Sequence, residues 1–184
     1  MGIQKATSGK FKEWALSSYL ENLQLEKFEA INITNFHKSL TDFIKTTENP
    51  EKYFDLLEEL ALAFEKALKK VDRRLIAYRD DFLSTACRLY SLLDNKSKVK
   101  NMIEEVENDR IENIHKEYVL QKMYKYFREG ENFCNVNKRW RKALQEYRRT
   151  GKGKQLQKAL SSYSHSGKVE KKGFFQKLLS AFGL

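Results

Sequence analysis

Hydrophobic positions recur along this chain with the three-and-four spacing of helices, and sustained strand-like alternation is missing. The pattern predicts a first helix from about Lys10 to Ala30, capped by Thr7 or Ser8. Its apolar stripe comprises Phe11, Trp14, Ala15, Leu16, Tyr19, Leu20, Leu23 and Phe28. A short second helix capped by Thr34 carries Phe36, Leu40, Phe43 and Ile44, and Thr46-Thr-Glu-Asn-Pro50 ends it. Asn49 followed by Pro50 is the clearest helix start in the chain. From Tyr53 through Leu57, Leu60, Phe64, Ala67, Val71, Leu75, Tyr78, Phe82, Ala86 and Leu89 to Leu93 the steps alternate between four and three. That heptad-like seam predicts one helix over 53–93, roughly 60 Å long, either the spine of a bundle or half of a coiled coil. Asp72-Arg73-Arg74 and Asp80-Asp81 are the places where it would bend.

Ser97 is expected to cap a fourth helix running to about Glu129, with a phase slip near Asp109-Arg110 and Gly130 as the C′ residue. A short connection makes it the antiparallel neighbour of the third. A fifth helix, about 132–149, turns Val136, Trp140, Leu144 and Tyr147 inward. Gly151-Lys-Gly-Lys154 then reads as a loop, and Leu156, Ala159, Leu160 and Tyr163 as a short helix. Residues 164–173, rich in Ser, Lys and Gly, form a linker, and 174–184 an amphipathic helix. The expected organisation is therefore all-α: a helical bundle or long antiparallel helical hairpin over 1–163, a linker, and a terminal helix.

Composition strengthens the fold class, because one proline and eight glycines in 184 residues leave little to punctuate a sheet. Charge changes the picture more. Lys138–Leu184 holds 13 of the 35 basic residues and two of the 25 acidic ones, so the +10 total divides into −1 before Lys138 and +11 after it. The cationic positions Lys138, Arg139, Arg141, Lys142, Arg148, Arg149, Lys152, Lys154, Lys171 and Lys172 point to a polyanionic partner, an anionic membrane surface or nucleic acid. Cys87 and Cys134 show no CxxC spacing and read as reduced thiols. The first residues lack a signal-peptide h-region, and no apolar run reaches about 18 residues, so a cytoplasmic, peripherally membrane-attached protein is expected.

Catalytic chemistry finds little support. Glu112-x-x-His115 matches one of the two Glu-x-x-His pairs that a di-iron site needs, but His37 and His165 have no Glu three residues before them. Gly151-Lys-Gly-Lys154 lacks the first glycine, the following Ser or Thr, and the preceding strand of a phosphate loop. The expectation is a protein that is not an enzyme and carries no cofactor or metal.

The strongest functional signal is Phe174, Phe175, Leu178, Leu179 and Phe182, which share one side of a helix with Gln176, Lys177 and Ser180 opposite. The stretch Glu170-Lys-Lys-Gly-Phe-Phe-Gln-Lys-Leu-Leu-Ser-Ala-Phe-Gly183 resembles the C-terminal membrane-targeting helix of the MinD family of bacterial cell-division ATPases. Nothing upstream of it is similar to that family. The resemblance implies reversible insertion of Phe174, Phe175, Leu178, Leu179 and Phe182 into an anionic leaflet beside Lys177. Gln176-x-x-Leu179-x-x-Phe182 is also similar to the peptide by which replication proteins bind sliding clamps. That likeness implies a protein groove, with Lys138–Lys158 on nucleic-acid phosphates and Trp140 and Tyr147 either stacking on bases or, as their spacing with Leu144 favours, packed in the core. Docking of 174–182 on the chain's own bundle is the third option. A homodimer through the 53–93 helix would present two such segments at once.

Overall fold

In the computed structural model, which describes the backbone of residues 3–150 and the side chains from Trp14 onward, seven α-helices follow one another and no strand occurs among the described residues. They are α1 (Ile3–Gln24), α2 (Ile33–Thr46), α3 (Phe54–Lys70), α4 (Ile76–Leu92), α5 (Lys96–Glu107), α6 (Lys116–Val136) and α7 (Lys138–Thr150). Short 3₁₀ turns cover Phe28–Ala30 and Pro50–Lys52. The all-α bundle expected from the periodicity is the observed fold. The expected boundary at residue 163, the linker 164–173 and the helix 174–184 lie outside the described residues.

The single long helix over 53–93 is not formed. It divides at Val71–Leu75 into α3 and α4, which pack on each other as a hairpin. Asp72 makes the turn: its carboxylate accepts the Arg74 N–H at 2.9 Å, and its carbonyl accepts the Leu75 N–H at 2.9 Å. Arg79, in the first turn of α4, reaches back to the Leu68 carbonyl at 2.7 Å and satisfies an acceptor that the end of α3 leaves open. The break is favoured because it lets both halves of the seam bury against each other, from Phe54, Leu57, Leu60 and Phe64 on α3 to Phe82, Ala86 and Leu89 on α4. The seam from Phe54 to Leu89 is therefore not continuous along one helix, and most of it packs within the chain while Leu75 stays 47% exposed.

The expected fourth helix is likewise two, α5 and α6, separated by Asn108–His115. Asp109 and Asn113 take left-handed backbone conformations there, with φ of 53° and 55°. The loop is held from α4. Arg79 donates to the carbonyls of Asn113 and Glu112, each at 3.2 Å, and the buried Asp80 carboxylate accepts the His115 N–H at 2.9 Å and faces its Nδ1 at 2.7 Å. Other boundaries move by smaller amounts. The first helix begins at Ile3 and ends at Gln24, Asn32 rather than Thr34 caps α2, and Pro50 opens a 3₁₀ turn before α3.

α4 is the central element, packed by α3, α5 and α6. Besides its apolar residues it buries Ser84, Thr85 and Ser91, so from Phe82 onward it is buried over most of its circumference, with Arg88 half-buried. Gly130 is not a C′ residue but lies inside α6, against Ser91. A Cβ at Gly130 would fall 2.5 Å from the Ser91 Cβ and 2.8 Å from its backbone C and O atoms. α6 continues past it to Val136, which is 82% exposed instead of inward, and Trp14 is 66% exposed.

Candidate functional site

α7 begins at Lys138, where Asn137 Oδ1 accepts the Trp140 N–H at 3.0 Å. One face of the helix is anchored. The Trp140 ring is buried between Phe54 and Phe133 at centroid distances of 5.2 Å each, and its indole N–H donates to the Leu92 carbonyl at 2.9 Å. Leu144 is buried below it. Tyr147 packs on Phe54 and places its hydroxyl 2.6 Å from Asp55 Oδ1 and 2.8 Å from Glu58 Oε2. Burial and the two carboxylates hold the Tyr147 phenol well above the ordinary tyrosine range. In the same acidic group, burial and then Asp55 and Glu58 raise the Glu59 carboxyl to about 7.

The opposite face is cationic. At 100° per residue the exposed positions Lys138, Arg139, Arg141, Lys142, Arg148 and Arg149 fall within about half of the circumference, with Gln145 and Glu146. The structure divides these six. Arg148 donates to the carbonyls of Leu93 at 2.6 Å and Asp94 at 2.8 Å, so it caps the end of α4. Arg149 pairs with Glu146 through two bonds of 2.6 and 3.2 Å, a fork that lowers the Glu146 carboxyl and raises the guanidinium. Lys138, Arg139, Arg141 and Lys142 have no ion pair among the described residues. Lys152, Lys154, Lys171, Lys172 and the apolar positions Phe174, Phe175, Leu178, Leu179 and Phe182, with Lys177, lie outside them.

No family model, no curated protein and no solved structure matches this chain.

Trp140 and Tyr147 are core residues of this site, as their spacing with Leu144 favoured. Glu112 and His115 sit in the α5–α6 loop rather than on one helical face, and His115 is held by Asp80. Among the described residues, no group of three or more His, Cys, Asp or Glu side chains is arranged to hold a metal ion. No described helix is long and apolar enough to cross a membrane. Chemically, the α7 face offers four long-stemmed cations on a rigid support, which suits attraction of phosphate groups without covalent chemistry.

Proposed function

We propose that this protein is a non-enzymatic interaction protein that attaches reversibly to an anionic membrane surface through the cationic face of α7 and the apolar stripe Phe174–Phe182. The observation that carries this reading is the set of four cations, Lys138, Arg139, Arg141 and Lys142, on one exposed arc, none of them in an ion pair among the described residues, with Glu146 as the one carboxylate whose field Lys142 feels. Lys138 and Arg139 occupy the first turn, where the helix dipole disfavours positive charge, so their placement does not serve the stability of α7. Each basic residue near an anionic leaflet contributes about 1 kcal/mol, and four give an attraction of about 4 kcal/mol before screening. Alone this is weak binding. Insertion of the five apolar side chains, at about 1.5–3 kcal/mol each before the cost of ordering, supplies the second signal that stable attachment needs.

The nucleic-acid reading draws on the same cations. Trp140 and Tyr147 are engaged in the core, which leaves that reading with phosphate contacts and no base stacking from α7, and the membrane reading stands first. Co-sedimentation with vesicles separates them. The full chain should pellet with phosphatidylglycerol-containing vesicles and much less with phosphatidylcholine alone. Reversal of Lys138, Arg139, Arg141 and Lys142 to Glu, or removal of 173–184, should each reduce pelleting severalfold. Equal pelleting of all three proteins would overturn the proposal. A salt-dependent gel shift on oligonucleotides with no vesicle binding would select the alternative. Its salt slope should then fall by about 0.9 for each phosphate that the reversed side chains no longer neutralise.

A further inference from the structure

From Phe82 to Leu93 the central helix carries a single charge, Arg88. Two other half-buried cations have their charge answered. Lys98 reaches Glu65 at 2.7 Å, and Lys122 reaches Asp81 at 2.9 Å. Arg88 differs. Its acceptors are all neutral: His37 Nδ1 at 2.7 Å, the His37 carbonyl at 3.3 Å and Thr41 Oγ1 at 2.8 Å, with the Tyr126 ring 5.2 Å from the guanidinium carbon. No carboxylate lies within ion-pair distance of it among the described residues. A cation withdrawn from water with no countercharge in contact is costly, and burial lowers the guanidinium pKa, an effect that Tyr126 and the more distant Glu129 partly offset.

A guanidinium only donates, so His37 Nδ1 accepts and the ring hydrogen sits on Nε2. That N–H faces Thr85 Oγ1 at 3.2 Å and Tyr126 Oη at 3.4 Å, which makes the Tyr126 oxygen an acceptor. The Tyr126 hydroxyl hydrogen and the Arg88 Nε–H then have no acceptor among the described residues. No buried side-chain nitrogen or oxygen lacks a partner there, so the free Arg88 edge is one that solvent reaches. These groups surround Arg88 on α4, with His37 and Thr41 of α2 on one side and Lys122 and Tyr126 of α6 on the other, and the His37 and Tyr126 rings touch with centroids 5.3 Å apart. The charges in this cluster are Arg88, the Lys122–Asp81 pair and, farther off, Glu129.

We propose that the free edge of Arg88 binds a small oxyanion, a phosphate or carboxylate group, with the Tyr126 hydroxyl as second donor. A planar fork bearing an unanswered charge fits two oxygens of such a group. Lys122 adds attraction from the rim. The same positive field, after burial, holds the His37 imidazole down to about 3, so an anion seated there should raise it. Neither the Arg88 cluster nor its ligand depends on the α7 reading.

The test follows the His37 ring signals of the full chain by NMR while inorganic phosphate, glycerol phosphate or acetate is added at constant ionic strength. Inorganic phosphate stands for the free ion and glycerol phosphate for a lipid headgroup; acetate represents carboxylates. At least one should give a saturable shift together with a higher His37 pKa. Arg88→Lys, which keeps the charge and loses the fork, should weaken that binding about tenfold. Tyr126→Phe keeps the ring over Arg88 and should weaken it severalfold at an unchanged unfolding midpoint, which preserves the test should Arg88→Lys fail to fold. Shifts that never saturate with any of the three anions, or saturation unchanged in Tyr126→Phe, would overturn the assignment and leave Arg88 as a staple between α4 and α2.

Discussion

Replacing Gly130 with alanine adds one methyl group at the closest approach of α4 and α6. The new Cβ would meet Ser91 Cβ at 2.5 Å and the Ser91 backbone C and O atoms at 2.8 Å, against about 3.5–4.0 Å for a comfortable carbon contact. The two helices must therefore part locally by roughly 1 Å. Two of the three obstacles are backbone, so no rotamer change relieves them, and the Ser91 hydroxyl is tied to the Cys87 carbonyl at 2.8 Å. Overpacking of this kind costs about 1–3 kcal/mol, and a main-chain obstacle puts this site at the upper end. Alanine returns about 1 kcal/mol of helix propensity. The expected net loss is about 2 kcal/mol, read as a lower urea midpoint at unchanged slope and a melting temperature lower by roughly 4–8 °C. Asn132→Ala, on the exposed side of the same helix, serves as control and should stay within about 0.5 kcal/mol. Ser91→Gly combined with Gly130→Ala removes the 2.5 Å contact and should recover part of the deficit. A neutral or stabilised Gly130→Ala protein would refute the close packing of α4 on α6.

Two titrations pull stability in opposite directions. His37, lowered from 6.5 to about 3, binds fewer protons folded than unfolded across that window. Its contribution is complete above 6.5 and is lost as pH falls, by up to about 2 kcal/mol at pH 5, and His37→Gln should remove that part of the difference between urea unfolding at pH 7 and pH 5. Glu59, raised from 4.5 to about 7, has the reverse sign: its contribution is complete below 4.5 and is lost as pH rises through 7. Glu59→Gln should stabilise the protein at pH 8, by at most about 3 kcal/mol, and should have little effect at pH 4. Asp80→Ala frees the α5–α6 loop from its two bonds at His115, with an expected cost of about 2–3 kcal/mol and faster hydrogen exchange over residues 108–116.

The helix stripes were legible because burial enforces them. Phe36, Leu40 and Phe43 on α2 and Trp140 and Leu144 on α7 lie where their spacing puts them. The breaks after Pro50 were harder to see, because residues 51–150 hold one glycine, Gly130, and no proline. Asp72 makes the α3–α4 turn, and Glu26, Asp94, Asp109 and Asn113 supply the left-handed positions usually given to glycine. Single carboxylates and amides are common on solvated helix faces, so their turning role emerges only once the flanking helices pack. Gly130 misled in the opposite sense, because a glycine that ends a helix and a glycine that lets two helices touch look alike in one dimension. Among the cations of α7, nothing in the sequence separates Arg148, which caps α4, from Arg141, which has no ion pair among the described residues. Arg88 did carry a signal, as the lone charge in a twelve-residue stretch that is otherwise apolar or small.

The seat of Trp140 also makes α7 observable. The chain has two indoles, one 66% exposed at Trp14 and one 1% exposed at Trp140, whose N–H is held by a carbonyl of the central helix. Their emission should separate into a red and a blue component, and Trp14→Phe would leave a single fluorophore seated beneath the cationic arc. With that protein, quenching by acrylamide reports whether α7 stays seated when vesicles or oligonucleotides are added. A protein that docks rigidly keeps its blue emission, and one that releases the helix onto its target shifts to the red. The light signal thus separates two modes of engagement that sedimentation alone would score as the same.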